Sequence, residues 1–173
     1  GGVLPIIKHI PGHGRAGVDS HEKLPIVDTD RKTLSSTDFA PFAALADAPL
    51  AMTAHVIYSA IDGANPATTS PTVISEIIRD EIGFSGALMS DDLSMKALGG
   101  SFEERTKASL DAGCDLVLHC NGDMEEMEAV AKEARTLSGT SLARADQALA
   151  MRTDPERVDL EDLIHRFSSL VSL

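Results

Sequence analysis

The residues best suited to chemistry fall in two stretches. Lys8-His9-Ile10-Pro11-Gly12-His13-Gly14 leads into Asp19-Ser20-His21, and Ser90-Asp91-Asp92-Leu93-Ser94-Met95 lies much further along the chain. A histidine two residues after an aspartate on a loop can hydrogen-bond that carboxylate. The bond fixes the imidazole tautomer and raises its basicity toward general acid/base work. A carboxylate at a strand end rides on a rigid element, and adjacent aspartates there are expected to diverge, one facing a pocket and the other the surrounding loop or a helix N-terminus. As bare patterns both have plain structural alternatives: Asp-x-His as a surface pair, and Asp91-Asp92 as loop caps.

Four short apolar runs position these groups, and each stops at polar residues. Val3-Leu4-Pro5-Ile6-Ile7 runs into Lys8-His9, Pro49 to Ala54 into His55, Gly86 to Ser90 into Asp91-Asp92, and Asp115 to His119 into Cys120-Asn121. Continuous apolar runs of this length predict strands covered on both faces. Helical patterns separate them: Ser36 to Ala46; a segment capped by Ser70 with Pro71 at its first position and Val73, Ile74, Ile77, Ile78 and Ile82 on its apolar face; and one opened by the capping-box spacing of Ser101 and Glu104 and closed by Gly113. Further helices are expected about Met124 to Leu137 and Asp159 to Leu170, and a long functional loop from Pro11 to Asp30. Strands joined by helical crossovers predict an α/β fold with a parallel sheet. Polar residues gathered past the strand ends are what a (β/α)8 barrel presents at its active face. Such a barrel needs eight βα units, and four are legible, so the expectation is either half of a barrel or a small open sheet.

Lys-His-x-Pro-Gly-His-Gly with a downstream Asp-Ser-His, then Ala-His-Val-x-Tyr at residues 54–58, then Gly-Phe-x-Gly at 83–86 and Ser-Asp-Asp-Leu-Ser-Met, resembles the bacterial β-N-acetylglucosaminidases of glycoside hydrolase family 3. The stretch from Ile77-Ile78-Arg79 to Ser90-Asp91 also resembles that family's general signature, and the likeness extends to about Asn121. It implies that residues 1–173 are the C-terminal half, about strands 5 to 8, of a (β/α)8 TIM barrel. It further implies that Asp91 is the nucleophile of a retaining hydrolysis and His21 the acid/base residue, with Asp19 as its partner. Lys8 and His9 match residues that hydrogen-bond sugar hydroxyls. His55 is assigned to substrate binding, with a satisfied core hydrogen bond as its alternative, and His13 to ordering the loop. In relatives the preceding half supplies an aspartate and an arginine that hold the terminal sugar. That half is therefore an expected partner, and the isolated segment is expected to be inactive. Arg15-Ala16-Gly17-Val18 departs from an Asp-Thr pair in many relatives, and Ala87 from a larger apolar residue.

The implied activity is removal of terminal N-acetylglucosamine from peptidoglycan fragments in cell-wall recycling, without cofactor or metal. The other readings are a family 3 β-glucosidase or β-xylosidase, a metal-dependent barrel hydrolase using the scattered histidines, or a non-catalytic sugar-binding domain. Composition narrows the partners. With 15 Lys and Arg against 27 Asp and Glu the formal charge is −12, which repels nucleic acid and anionic membrane. No apolar run reaches a membrane span, and the opening residues carry no secretion signal, so the expected location is cytoplasmic. Cys114 and Cys120 match no metal or redox spacing and are expected to be buried free thiols.

Overall fold

The computed structural model describes residues 2–171, so Gly1, Ser172 and Leu173 of the expected 1–173 unit lie outside the described residues. Strands β1 (Ile6–Ile10), β3 (Leu50–Thr53), β5 (Ala87–Asp92) and β6 (Leu116–Leu118) form one sheet in that order, with every pair parallel. Each strand lies beside the previous one, and the order never reverses. That is how consecutive βα units wind in a (β/α)8 barrel, whereas a doubly wound sheet has a switch point. The crossovers are α1 (Arg31–Thr37) with α2 (Ala40–Ala43), a π-helical segment Val73–Glu81, and α3 (Phe102–Ala112); α4 (Met124–Glu133), α5 (Gly139–Ala150) and α6 (Leu160–Val171) follow β6.

The local reasons are visible residue by residue. Ser70 Oγ accepts from Val73 N at 3.1 Å, as its expected capping role requires, and Val73, Ile74, Ile77 and Ile78 are buried. Ser101 and Glu104 make both bonds of the capping box, and Gly113 closes α3 at φ 116°, where a side chain would be strained. At Gly86 a Cβ would stand 2.6 Å from the carbonyl oxygens of Ala48 and Pro49, so only glycine lets β5 start this close to β3. The core gathers Leu88 and Ile10 from the strands, the apolar side of the π-helical segment, and Phe39, Tyr58 and Phe84.

Several boundaries differ from the expectation. β1 spans Ile6–Ile10 rather than Val3 to Ile7, so His9 lies inside the strand; its register to β3 slips between Lys8↔Met52 and Ile10↔Thr53, leaving His9 as the extra residue. The helix read as Ser36 to Ala46 is two short ones. Asp30 caps α1 by accepting from Thr33 N, and the chain breaks before Pro41, which lacks the N–H a continuous helix needs. Two short strands and a helix went unread. β2 (Ile26–Val27) and β4 (Ile57–Tyr58) pair in a two-residue ladder too short to show periodicity, and α5 has a weak apolar stripe with one buried residue, Ala148. Cys114 is buried as expected, its thiol pushed up to about 12 by desolvation, but Cys120 is exposed because it follows the last strand on the outer loop. No helix among the described residues is long and apolar enough to cross a membrane.

Opposite the polar strand ends, Asp115 fastens the structure. Its buried carboxylate accepts from Arg79 at 2.8 Å, Leu88 N at 2.9 Å, Ser141 at 2.6 Å and Arg144 at 3.1 Å, joining β5, β6, the π-helical segment and α5. Arg79 also donates to the carbonyls of Phe84 and Gly86. Removing one member of a buried, fully paired charge cluster strands the others. Asp115→Ala should therefore cost about 3–5 kcal/mol, read as a lower urea midpoint at unchanged slope.

Candidate active site

At the C-terminal ends of β1 and β5 the two chemical stretches meet. Lys8, His9, His13, Gly14, Asp19, Ser20, His21 and Asp91 line one cleft of about 400 Å3. A second hollow of about 650 Å3 shares Lys8, His9 and His13 and runs over Arg15, Asp38, Pro41 and Phe42. The expected residues Lys8, His9, Asp19, His21 and Asp91 thus share a site, which sequence separation alone could not establish.

Asp91 and Asp92 diverge as strand alternation requires. Asp91 Oδ1 accepts from Asp92 N at 2.9 Å, while Oδ2 lies 3.5 Å from His9 Nε2, longer than a normal hydrogen bond but close enough for charge to matter. Asp92 turns to the loop, accepting from Ser94 N and Cys120 N, each at 3.0 Å, and from Ser94 Oγ at 2.6 Å. Burial pushes the Asp92 carboxyl up, but these hydrogen bonds outweigh it and hold the group below its ordinary value. His9 is half-buried. Desolvation lowers its pKa against the upward pull of Asp91, and Lys8, His13 and His21 lower it further, so His9 faces Asp91 largely as a neutral imidazole. Lys8 is exposed at the rim.

Asp19 Oδ1 accepts both His21 N at 2.9 Å and His21 Nδ1 at 2.8 Å. Because a carboxylate only accepts, Nδ1 carries the proton, and Nε2 has no partner among the described residues. The hydrogen bond that His21 donates to Asp19 is the main cause of a raised His21 pKa, with the Asp19 charge second and Asp91 and Asp92 adding to it. The pair makes the hydrogen bond its spacing implied, with one nitrogen oriented and the other free among the described residues.

His55 is placed differently from its expected contact with substrate. It is fully buried at 0% exposure, with both ring nitrogens engaged. Its Nε2 lies 3.1 Å from the Asp92 carbonyl, which can only accept, so Nε2 carries the proton and Nδ1 accepts from Thr68 Oγ1 at 2.7 Å. Thr53 Oγ1 lies 2.8 Å from Thr68 Oγ1 and accepts from Asp91 N at 3.3 Å. With His55 neutral the hydrogen bonds run in one direction from the Asp91 N–H through two hydroxyls and an imidazole to the Asp92 C=O, the Ala54 carbonyl lying as a longer second acceptor 3.2 Å from Thr68 Oγ1. Burial lowers the His55 pKa, which keeps that circuit neutral. Thr53 and Thr68 went unread as site residues. The signal for Thr53 was its spacing of two from His55 at a strand end; for Thr68 there was none.

Around the glycine turn, Tyr58 donates to the Gly12 carbonyl, Arg15 pairs with Asp38 at 2.7 Å, and His13 Nε2 meets Ser20 Oγ at 3.1 Å. Asn121 orders its own loop by accepting from Asp123 N and donating to Glu126. Among the described residues no group of three His, Cys, Asp or Glu side chains is arranged to hold a metal ion.

The profile described as Glycosyl hydrolase family 3 N terminal domain matches residues 1–151. The chain belongs to glycosyl hydrolase family 3. Proteins similar to this family 3 chain include a Beta-hexosaminidase of Alkalilimnicola ehrlichii, 47% identical over 124 residues that cover 69% of this chain and 35% of that protein. One from Methylobacillus flagellatus is 36% identical, covering 96% of this chain and 50% of that protein. A glycoside hydrolase family 3 beta-N-acetylglucosaminidase from Paenibacillus sp. superposes with a TM-score of 0.78 at 28% identity, over 96% of this chain and 37% of that one. NagZ from Neisseria gonorrhoeae gives 0.72 at 31% identity, over 96% and 47%. The chain thus spans half or less of the length of these curated relatives.

Exposed His21 and buried His55 are pushed in opposite directions by their surroundings. In an NMR titration His21 should titrate above 6.5 and His55 below it, and Asp19→Asn should bring His21 back down toward 6.5 while leaving His55 in place. Since the folded His21 pKa is raised, its pairing with Asp19 supports the fold below the unfolded pKa, and that support fades as pH rises through the folded value.

Proposed function

We propose that this family 3 segment carries the nucleophile and the acid/base group of a retaining exo-β-N-acetylglucosaminidase. The observation that carries the reading is the shared cleft, in which the Asp91 carboxylate and the Nδ1-anchored His21 stand together. Asp91 attacks the anomeric carbon as His21 Nε2–H protonates the departing glycosidic oxygen, giving a covalent glycosyl-enzyme; neutral His21 then takes a proton from the water that displaces Asp91, with net retention. Lys8 and His9 would hold sugar hydroxyls at the rim. His55, behind the strand end, would hold the nucleophile's peptide rather than the sugar. The names of the relatives support the hexosamine over glucose or xylose.

In this reading the segment is the second half of the barrel, about strands 5 to 8, and a preceding half completes the wall at the free edges of β1 and β6. The substrate would be terminal N-acetylglucosamine on peptidoglycan fragments in the cytoplasm. Two free cysteines suit that reducing compartment. The 173 residues alone should show no turnover, because half of the sugar's contacts are missing; measurable hydrolysis by them would count against the half-barrel reading.

In the complete enzyme carrying this segment, a slow 5-fluoro N-acetylglucosaminyl substrate should leave a sugar adduct, found by peptide mass spectrometry on the fragment containing Asp91. Hydrolysis without such an adduct would remove Asp91 as nucleophile. His21→Ala should cost about 10²–10⁴-fold on substrates with poor leaving groups and far less on activated aryl glycosides.

A further inference from the structure

Of residues 17–23, Ser20 alone is buried, at 5% exposure, while Asp19 and His21 on either side of it are open to solvent. A small polar residue inserted between two exposed catalytic neighbours acts as a pin if something holds it. Its hydroxyl has a partner in His13 Nε2 at 3.1 Å. His13 itself stands on the braced side of the loop. Tyr58 holds the Gly12 carbonyl, a Cβ at Gly12 would meet Asp38 at 3.1 Å, and the His13 ring lies 5.6 Å from the His9 ring beside Asp91. Between these two points Arg15 pairs with Asp38 and Ala16 packs on the core, but the chain loosens beyond them: Gly17, like Gly14, has nothing within 4 Å of where a Cβ would be, and Val18 and Asp19 are exposed. The local bonds that shape the Asp19 turn, from Glu22 N and Lys23 N to the Asp19 carbonyl at 3.0 Å, fix its form, and the ion pair of Glu22 with Lys96 at 3.4 Å is exposed and holds its seat only weakly.

We propose that Ser20 and His13 form a latch that seats the Asp19–His21 pair over the cleft toward Asp91, making both of them positioning residues for proton transfer. The proposal rests on His21 being the acid/base group. With the latch made, Nε2 of His21 is presented at a defined place. Without it the dyad keeps its internal hydrogen bond but samples the loop's freedom, and the proton is delivered from fewer of the loop's conformations.

A loosened acid differs kinetically from a loosened fold. Protonation of the leaving oxygen matters most when the leaving group is poor, so the readout is kcat/KM on two N-acetylglucosaminides, one with a dinitrophenyl and one with an alkyl leaving group, measured in the complete enzyme carrying this segment. Ser20→Ala should lower kcat/KM about tenfold on the alkyl glycoside, leave it within about twofold on the dinitrophenyl glycoside, and speed amide hydrogen exchange at His21 to Lys23 but not in β5. Ser20→Thr, which keeps the hydroxyl, should recover most of the loss. Equal losses on both substrates, or no loss on the alkyl glycoside, would overturn the latch. His21→Ala separates the two readings: if it shows no leaving-group dependence, the acid/base assignment falls, whereas dependence in His21→Ala with none in Ser20→Ala removes the latch alone.

Discussion

The site depends on how the peptide of Asp91-Asp92 is held at the end of β5. A strand end has lost its ladder partners on one side, and a carboxylate placed there would wander with its backbone. Here the Asp91 N–H and the Asp92 C=O are both satisfied by one neutral circuit through Thr53, Thr68 and His55. Because each hydroxyl donates once along the circuit and the imidazole is fixed as one tautomer by a carbonyl, the members specify each other's proton positions. A buried network of this kind is stable only when complete, which is why a histidine with a lowered pKa suits it and a charged one would not.

That rigidity has a counterpart across the cleft. The neighbours of Asp91 are buried and bound, but Asp19 and His21 sit exposed on a glycine-bearing loop. The contrast suits the proposed chemistry: a nucleophile needs one position, and a group that gives a proton and later takes one back must also admit and release substrate. The histidines divide accordingly. His9 and His55 are driven toward neutrality by burial, while exposed His21 is driven toward the protonated form by its carboxylate partner. One residue type is thus driven in opposite directions within a single site, the direction set by solvent and neighbour.

At the opposite face the same physics serves stability. Asp115 is buried and Arg79 largely so, and they meet backbone groups, Ser141, Arg144 and each other. Polar groups at one end of the strands line the cleft and those at the other hold the elements together, as the winding of βα units dictates.

The sequence by itself determined the alternation of apolar runs and helical patterns, the divergence of Asp91 and Asp92, and the Asp19–His21 pair, because each follows from spacing of two, of three or four, or of one residue in the chain. The resemblance built on ordered motifs then named the family that the profile match later showed. What only the tertiary structure decided was contact between residues far apart. It put His55 behind the strand rather than in the cleft, because Thr68 and the Asp92 carbonyl happen to stand where its two nitrogens point. It also shifted β1 so that His9 became the extra residue of its register. And it buried Ser20 against His13, a meeting across seven residues of loop that no local periodicity encodes, since a loop's closure is chosen by what its ends pack against.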